Sequence, residues 1–316
     1  MKLQTQIPLK KQPHNLIDYN SKLLLLGSCF SENIGDKLSY YKFQSQQNPF
    51  GILFHPKAIE KLITDAINQK KYTEDAVFYH NESWHCFDAH SSVSSSDKKE
   101  VLNNLNTANT ATFEYLKNAS HLVITLGTSW VYREISSDAI VANCHKIPQK
   151  NFLKEILSID EITESLDAII ALTKSVNPNI SIIFTVSPVR HIKDGFIENQ
   201  QSKAHLLSAI HQIIEPKNNT YYFPSYEIMM DELRDYRFYA QDMIHPNNTA
   251  INYIWEKFIE VWISENTQKT MKEVDIIQKG LAHRSFNPTS EAHQKFLKNI
   301  AQKKETLQKA FPFITF

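Results

Sequence analysis

Short apolar runs ending in Gly, Ser or Pro alternate along this chain with longer stretches of helical periodicity, the pattern of βα units around a parallel sheet. Five runs predict core strands, at residues 22–26, 41–46, 121–126, 180–186 and 220–223. The Leu23-Leu24-Leu25-Leu26 and Ile182-Ile183-Phe184-Thr185-Val186 runs show no polar alternation, as expected of strands covered on both faces. Helical spacing predicts helices over 31–39, 56–68, 97–118, 159–176, 202–214 and 248–263. In the last of these, Ile251, Ile254, Trp255, Phe258 and Trp262 recur at i, i+3, i+4 and form a core-facing stripe.

Two stretches depart from the βα rhythm. Residues 76–87 alternate on either side of Asn81-Glu82-Ser83 and read as a β-hairpin, and residues 130–144 read as a second. Both are placed to decorate a site. After Trp262 the pattern becomes a Lys-rich helical tail, with nine Lys/Arg against four Asp/Glu between residues 269 and 309. Ala292, Phe296, Ile300 and Leu307 give its last helix an apolar stripe, so the tail is expected to dock on the domain or on a partner subunit as a homo-oligomer contact. The expected organisation is one α/β domain over 1–265 with a helical extension over 266–316.

Charge narrows the partners. Lys+Arg and Asp+Glu are 34 each, so no long-range field draws nucleic acid or an anionic membrane. The longest early apolar run is four leucines, too short for a signal-peptide core or a membrane span, and a cytoplasmic protein is expected. Three scattered cysteines, Cys29, Cys86 and Cys144, form neither a disulfide framework nor a CxxC zinc site. His80, His85, Cys86, Asp88 and His90 cluster in sequence, but their spacing matches no zinc pattern. Neither metal nor organic cofactor is expected.

Only six glycines occur in 316 residues, where ordinary usage gives about 22. Phosphate loops of the GxGxxG or GxxxxGK[ST] type are therefore absent. Gly27, Gly51 and Gly127 instead lie just past the first three predicted strands. Ligands of open α/β sheets bind outside the carboxyl ends of the strands, so Gly27-Ser28-Cys29-Phe30 faces a site. Ser28 also sits at a helix N-terminus, where N–H groups stabilise developing negative charge. It is a candidate nucleophile, with a plain N-cap as the alternative. Cys29 beside it is the lesser candidate. Late in the chain, Asp242-Met243-Ile244-His245 has the spacing for a carboxylate to hold an imidazole whose other nitrogen faces the nucleophile.

These strings, with Asn48-Pro49-Phe50-Gly51, Gly127-Thr128-Ser129-Trp130, Asn143-Cys144-His145-Lys146, Ser187-Pro188-Val189-Arg190-His191, Ser202-Lys203-Ala204 and 233–239 (LRDYRFY), resemble the GSCFA family, itself similar to the SGNH (GDSL-type) hydrolases. The resemblance implies a flavodoxin-like three-layer α/β/α sandwich with a central five-stranded parallel sheet. It implies a Ser28–Asp242–His245 triad and an oxyanion hole using the Ser28 and Gly51 amides. Two departures stand out. Ser31 replaces the alanine of the name motif, and Thr128-Ser129 stands where the superfamily has G-x-N-[DE]. Thr128 is the favoured third donor, with Ser129 or Asn143 as alternatives.

The expected activity is ester hydrolysis or acyl transfer on a small-molecule or carbohydrate acyl ester; the alternative is a binding or assembly module that keeps the cleft. Asn48, Asn143, His145, Arg190 and His90 are the expected substrate-binding residues. Ion pairing within long loops is an equal alternative for Arg190, His145, Lys146 and Lys203.

Overall fold

The leucine run after Lys22 becomes a strand buried on both faces, and the rest of the protein is layered around it. The computed structural model describes residues 5–316. Its elements in chain order are β1 (Lys22–Gly27), α1 (Cys29–Tyr40), β2 (Gln44–Gln47), α2 (Pro56–Ile67), β3 (Phe78–His80), β4 (Ser83–His85), α3 (Lys98–Asn118), β5 (His121–Leu126) and β6 (Trp130–Glu134). There follow β7 (Ile140–Val141), β8 (Phe152–Ile156), α4 (Ile159–Val176), β9 (Ser181–Val186), α5 (Phe196–Ile213), β10 (Thr220–Tyr222), a one-turn α6 (Ser225–Glu227), α7 (Asn248–Trp262), α8 (Glu265–Ala282) and α9 (Glu291–Ala310).

The five core strands lie in the order β10-β9-β5-β1-β2, all parallel. In chain order that is 2-1-3-4-5, the flavodoxin-like arrangement, whose switch point falls between β1 and β5. Leu24 and Leu26 of β1, with Ile124 of β5 and Phe184 of β9, pack under α2–α5. Leu23, Leu25, Val123 and Ile183 face the opposite way, toward α1 and α7. This two-sided burial is why those strands show no polar alternation, and each buried Leu or Ile contributes about 1.5–3 kcal/mol. The three-layer sandwich follows from it.

Three sequence boundaries shift. β2 begins at Gln44 because Tyr41 closes α1 and Lys42 takes a left-handed turn (φ 64°). α1 begins at Cys29 and α5 at Phe196, each earlier than its apolar periodicity. The β3–β4 hairpin forms about Asn81 and Glu82, both at positive φ (45° and 60°), the turn that suits a two-residue connection. The second hairpin is completed by β8, giving the small antiparallel sheet β7-β6-β8. α8 and α9 pack on the same side as α1 and α7, where Met271, Val274, Ile277, Ile300 and Leu307 join the core of the main domain. Among the described residues no helix is long and apolar enough to cross a membrane.

Candidate active site

The site is built on the turn from β1 into α1. Gly27 has φ 130°, and a Cβ there would lie 2.1 Å from the Thr125 carbonyl oxygen, so only glycine lets β1 approach β5 this closely. Its amide donates to Asn48 Oδ1 at 2.9 Å. Ser28 is the N-cap of α1: its Oγ accepts from the Phe30 amide at 3.3 Å and its carbonyl accepts from the Ser31 amide at 2.8 Å. The Ser28 amide donates to Thr125 O at 3.0 Å, and the residue is 0% exposed. Cys29, the first helical residue, is partly open to solvent. Burial and then Glu32 push its thiol pKa up, against the opposing pull of its own amide, Lys203 and the Phe30 amide. Ser31, the departure from the name motif, donates its hydroxyl to Leu26 O at 3.0 Å.

The second half of the site is the loop before α7. His245 Nδ1 lies 2.7 Å from Asp242 Oδ2, while Asp242 Oδ1 accepts from the His245 and Ile244 amides at 3.0 and 2.9 Å. Those amides and the ring hold the carboxyl at about 2. Met243, at φ 59°, turns the loop tightly enough to close the pair. Asn247 caps α7 through the Ala250 amide and donates to the Arg237 and Tyr239 carbonyls, which ties the loop to the preceding 233–239 segment. The Arg190 amide, just beyond β9, donates to Ile244 O at 3.4 Å and brings the loop to the strand-end edge. His245 Nε2 bonds no other described residue. Among the described residues no hydrogen bond links Ser28 to His245.

The three expected oxyanion donors are all engaged internally. The Ser28 amide serves Thr125, and the Gly51 amide donates to Asn48 O at 2.8 Å. Thr128 Oγ1 pairs with Ser202 Oγ at 3.0 Å and accepts from the Trp130 amide at 3.0 Å. The Ser129 amide donates to Ser202 Oγ at 2.8 Å. Two buried side-chain nitrogens at this edge have no partner: Asn48 Nδ2 and His191 Nε2. Burial, with Lys203 adding to it, lowers His191 to about 4, so its ring is neutral. The Cβ position of Gly127 lies 3.2 Å from His191 Nε2.

The expected substrate residues divide. Thr128, Asn143 and His145 share a cleft of about 600 Å³ with Phe54, Trp130 and Lys146. Ser28, Asp242 and His245 do not line it. His145 is a brace between the two hairpins: Nε2 contacts Cys86 O at 2.8 Å, Nδ1 lies 3.3 Å from Ser91 Oγ, and burial lowers its pKa to about 4. Asn143 Oδ1 accepts the His145 amide. Arg190 donates to the Tyr239 hydroxyl at 2.6 Å with its guanidinium 4.3 Å from that ring, so its side chain braces the 233–239 segment. His90 packs on Gly51, where a Cβ would lie 2.5 Å from the His90 Cβ.

Lys203 is the residue whose burial sequence reasoning did not foresee. It is fully buried, and Nζ donates to Gly127 O at 2.7 Å and Ser187 O at 2.8 Å, at the ends of β5 and β9. The signal was its place in the helical phase of Leu206 and Ile210, a lysine on a core face.

A family model for the GSCFA family matches residues 22–258, the span from β1 through most of α7. The chain belongs to the GSCFA family. A second model, for the C-terminal domain of GSCFA domain proteins, matches residues 274–316. No curated protein matches the chain. In this GSCFA protein the name-giving motif is the β1–α1 turn itself, and the matched spans cover the Asp242–His245 loop, the second half of α8 and all of α9.

Proposed function

We propose that this GSCFA protein hydrolyses or transfers the acyl group of a small ester through an acyl-enzyme formed at the Gly27–Ser28–Cys29 turn. His245 moves the protons and Asp242 orients its ring and stabilises its charged form. The observation that carries the reading is the 2.7 Å contact between His245 Nδ1 and Asp242 Oδ2, with Nε2 left for a reacting proton at the strand-end edge. The position of the turn at the β1/β5 switch point, a helix N-terminus, supports it. So does the resemblance to SGNH hydrolases. Neither metal nor organic cofactor enters this chemistry, and three unpaired cysteines suit a reducing, cytoplasmic setting. Exposed Leu281, Phe286 and Leu297 on and beside the C-terminal helices are the surface through which copies would associate.

A second reading is favoured by the internal engagement of the Ser28 and Gly51 amides and of Thr128. Under it the protein binds an acylated ligand without turning it over. Hydrolysis of p-nitrophenyl acetate and butyrate by the wild type and by His245→Asn decides between them. A rate above background that His245→Asn abolishes supports the enzyme; identical rates support the binding module.

A further inference from the structure

We propose that the cleft of about 600 Å³ beside the turn takes the non-reacting end of the substrate, and that this end joins a flat apolar body to an anionic group, a carboxylate or a phosphate. The inference rests on the acyl-enzyme reading above and adds to it the class of molecule the site accepts. The cleft is tied to the turn through the backbone. The Leu53 amide donates to Gly27 O at 3.0 Å, and Phe54, the next residue, accepts the Gly127 and Thr128 amides on its carbonyl at 2.8 and 3.1 Å. The Phe54 ring forms part of the cleft wall and stands T-shaped against His191, with centroids 5.4 Å apart.

Two features of the lining point to the ligand. Phe54, Trp130 and Tyr132 give it aromatic faces, which suit flat rings and apolar carbon frames. No aspartate or glutamate lines it, whereas Lys146 and Lys193 do. His55 and His145, also in the lining, are neutral because burial lowers both to about 4, and burial holds the Cys144 thiol up at about 11. The two ammonium groups are therefore the whole charge of the cleft near pH 7. An anionic group here meets a positive potential with no carboxylate of the lining opposing it.

Neither lysine is engaged within the protein. Asp194, next to Lys193 in sequence, pairs instead with Lys154, whose ammonium lies 4.6 Å from the centroid of a Trp130 ring. The ammonium groups of Lys146 and Lys193 make no ion pair or hydrogen bond among the described residues. Lys146 is also held in a costly backbone conformation. His145 and Lys146 are both left-handed, at φ 47° and 60°, which L residues adopt only where their surroundings fix it. The buried His145 ring anchors this turn, with Nε2 2.8 Å from Cys86 O and its centroid 4.6 Å from that of His85. Strain of this kind collects at ligand sites.

The test uses the full chain and three probes of one frame, 1-naphthoate, 1-naphthyl phosphate and the uncharged 1-naphthamide, titrated by calorimetry. Variants are Lys146→Gln combined with Lys193→Gln, and Lys150→Gln as a control at an exposed lysine outside the lining; melting curves check that each folds. Expected is binding of one anion at least ~10-fold tighter than the amide in the wild type and in Lys150→Gln, falling to within about 3-fold in the double variant. The tighter anion names the group as carboxylate or phosphate, and it should inhibit p-nitrophenyl butyrate turnover competitively. Equal affinity for the three probes, no binding of any, or a preference that survives in the double variant overturns the cleft assignment. So does binding that leaves uninhibited a turnover abolished by His245→Asn, and in that case the acyl-enzyme reading stands. A preference that needs the two lysines, with equal p-nitrophenyl butyrate rates in wild type and His245→Asn, overturns the acyl-enzyme reading and keeps the anion site.

Discussion

The ammonium of Lys203 lies 2.7 Å from the carbonyl oxygen of Gly127, inside the protein and away from any carboxylate among the described residues. Burial lowers its pKa to about 7, against ~10.4 in an unfolded chain. Between those values the unfolded state binds more protons, so stability rises with pH from about 7 toward 10; below 7 both states carry the proton and the full penalty remains. The rise is roughly 3–4 kcal/mol. Lys203→Met should flatten it in urea titrations between pH 7 and 9.5. A slope equal to that of the wild type would sink the assignment.

Asp242→Asn and His245→Asn should each lower acyl-ester turnover by about 1000-fold or more. The side-chain amide introduced by Asp242→Asn would keep an oxygen for the Ile244 and His245 amides, and the side chains of Asp242 and His245 are both about half exposed. Melting temperatures should therefore stay within about 2 °C of the wild type. A loss of activity that tracks a large loss of melting temperature would count as a folding defect instead.

His55 caps α2 by accepting the Ala58 amide at Nδ1, while Nε2 donates to Val141 O at 3.1 Å. The ring is neutral, with burial lowering its pKa to about 4. Because the folded value lies below the unfolded ~6.5, this contribution is complete above pH 6.5 and is lost as pH falls toward 4, about 3 kcal/mol in all. His55→Asn keeps a capping oxygen and removes the titration. Its stability should vary less between pH 6.5 and 4 than that of the wild type in denaturant titrations.

A Cβ on Gly280 would lie 2.5 Å from Ile300 Cδ1 and 3.4 Å from Phe296 Cζ, so this glycine sets the approach of α9 to α8. It is a packing residue inside α8, whose C-cap is His283. Gly280→Leu should cost about 1–3 kcal/mol by overpacking and expose the 283–290 connection to limited proteolysis. Gly280→Leu with Ile300→Ala should regain protection. Unaltered cleavage in Gly280→Leu would show that α9 docks without this contact.

The fold was legible because its signals are local. The core strands follow from short apolar runs without polar alternation and the main helices from a 3.6-residue periodicity, and errors gathered where a turn overrode propensity, as at Lys42. Half of the candidate site was legible for the same reason: Asp242 and His245 meet because they are three residues apart on one tight loop. A Cβ on Gly35 of α1 would lie 1.5 Å from Gln47 Oε1 of β2, a close approach between α1 and the next strand that no local periodicity announces.

By itself the sequence determined the parallel βα architecture, the strand-end positions of Gly27, Gly51 and Gly127, and the Asp242–His245 pair, all of which depend on neighbours along the chain. Only the tertiary structure decided that Ser28 is shielded while Cys29 is open, that Lys203 is buried at β5 and β9, and that His145 and Arg190 act as braces. Those outcomes depend on residues brought together from far apart, such as Gly127 and Lys203, 76 positions along. Burial and hydrogen-bond occupancy are properties of the packed layers, and no periodicity in one strand or helix encodes what the next layer covers.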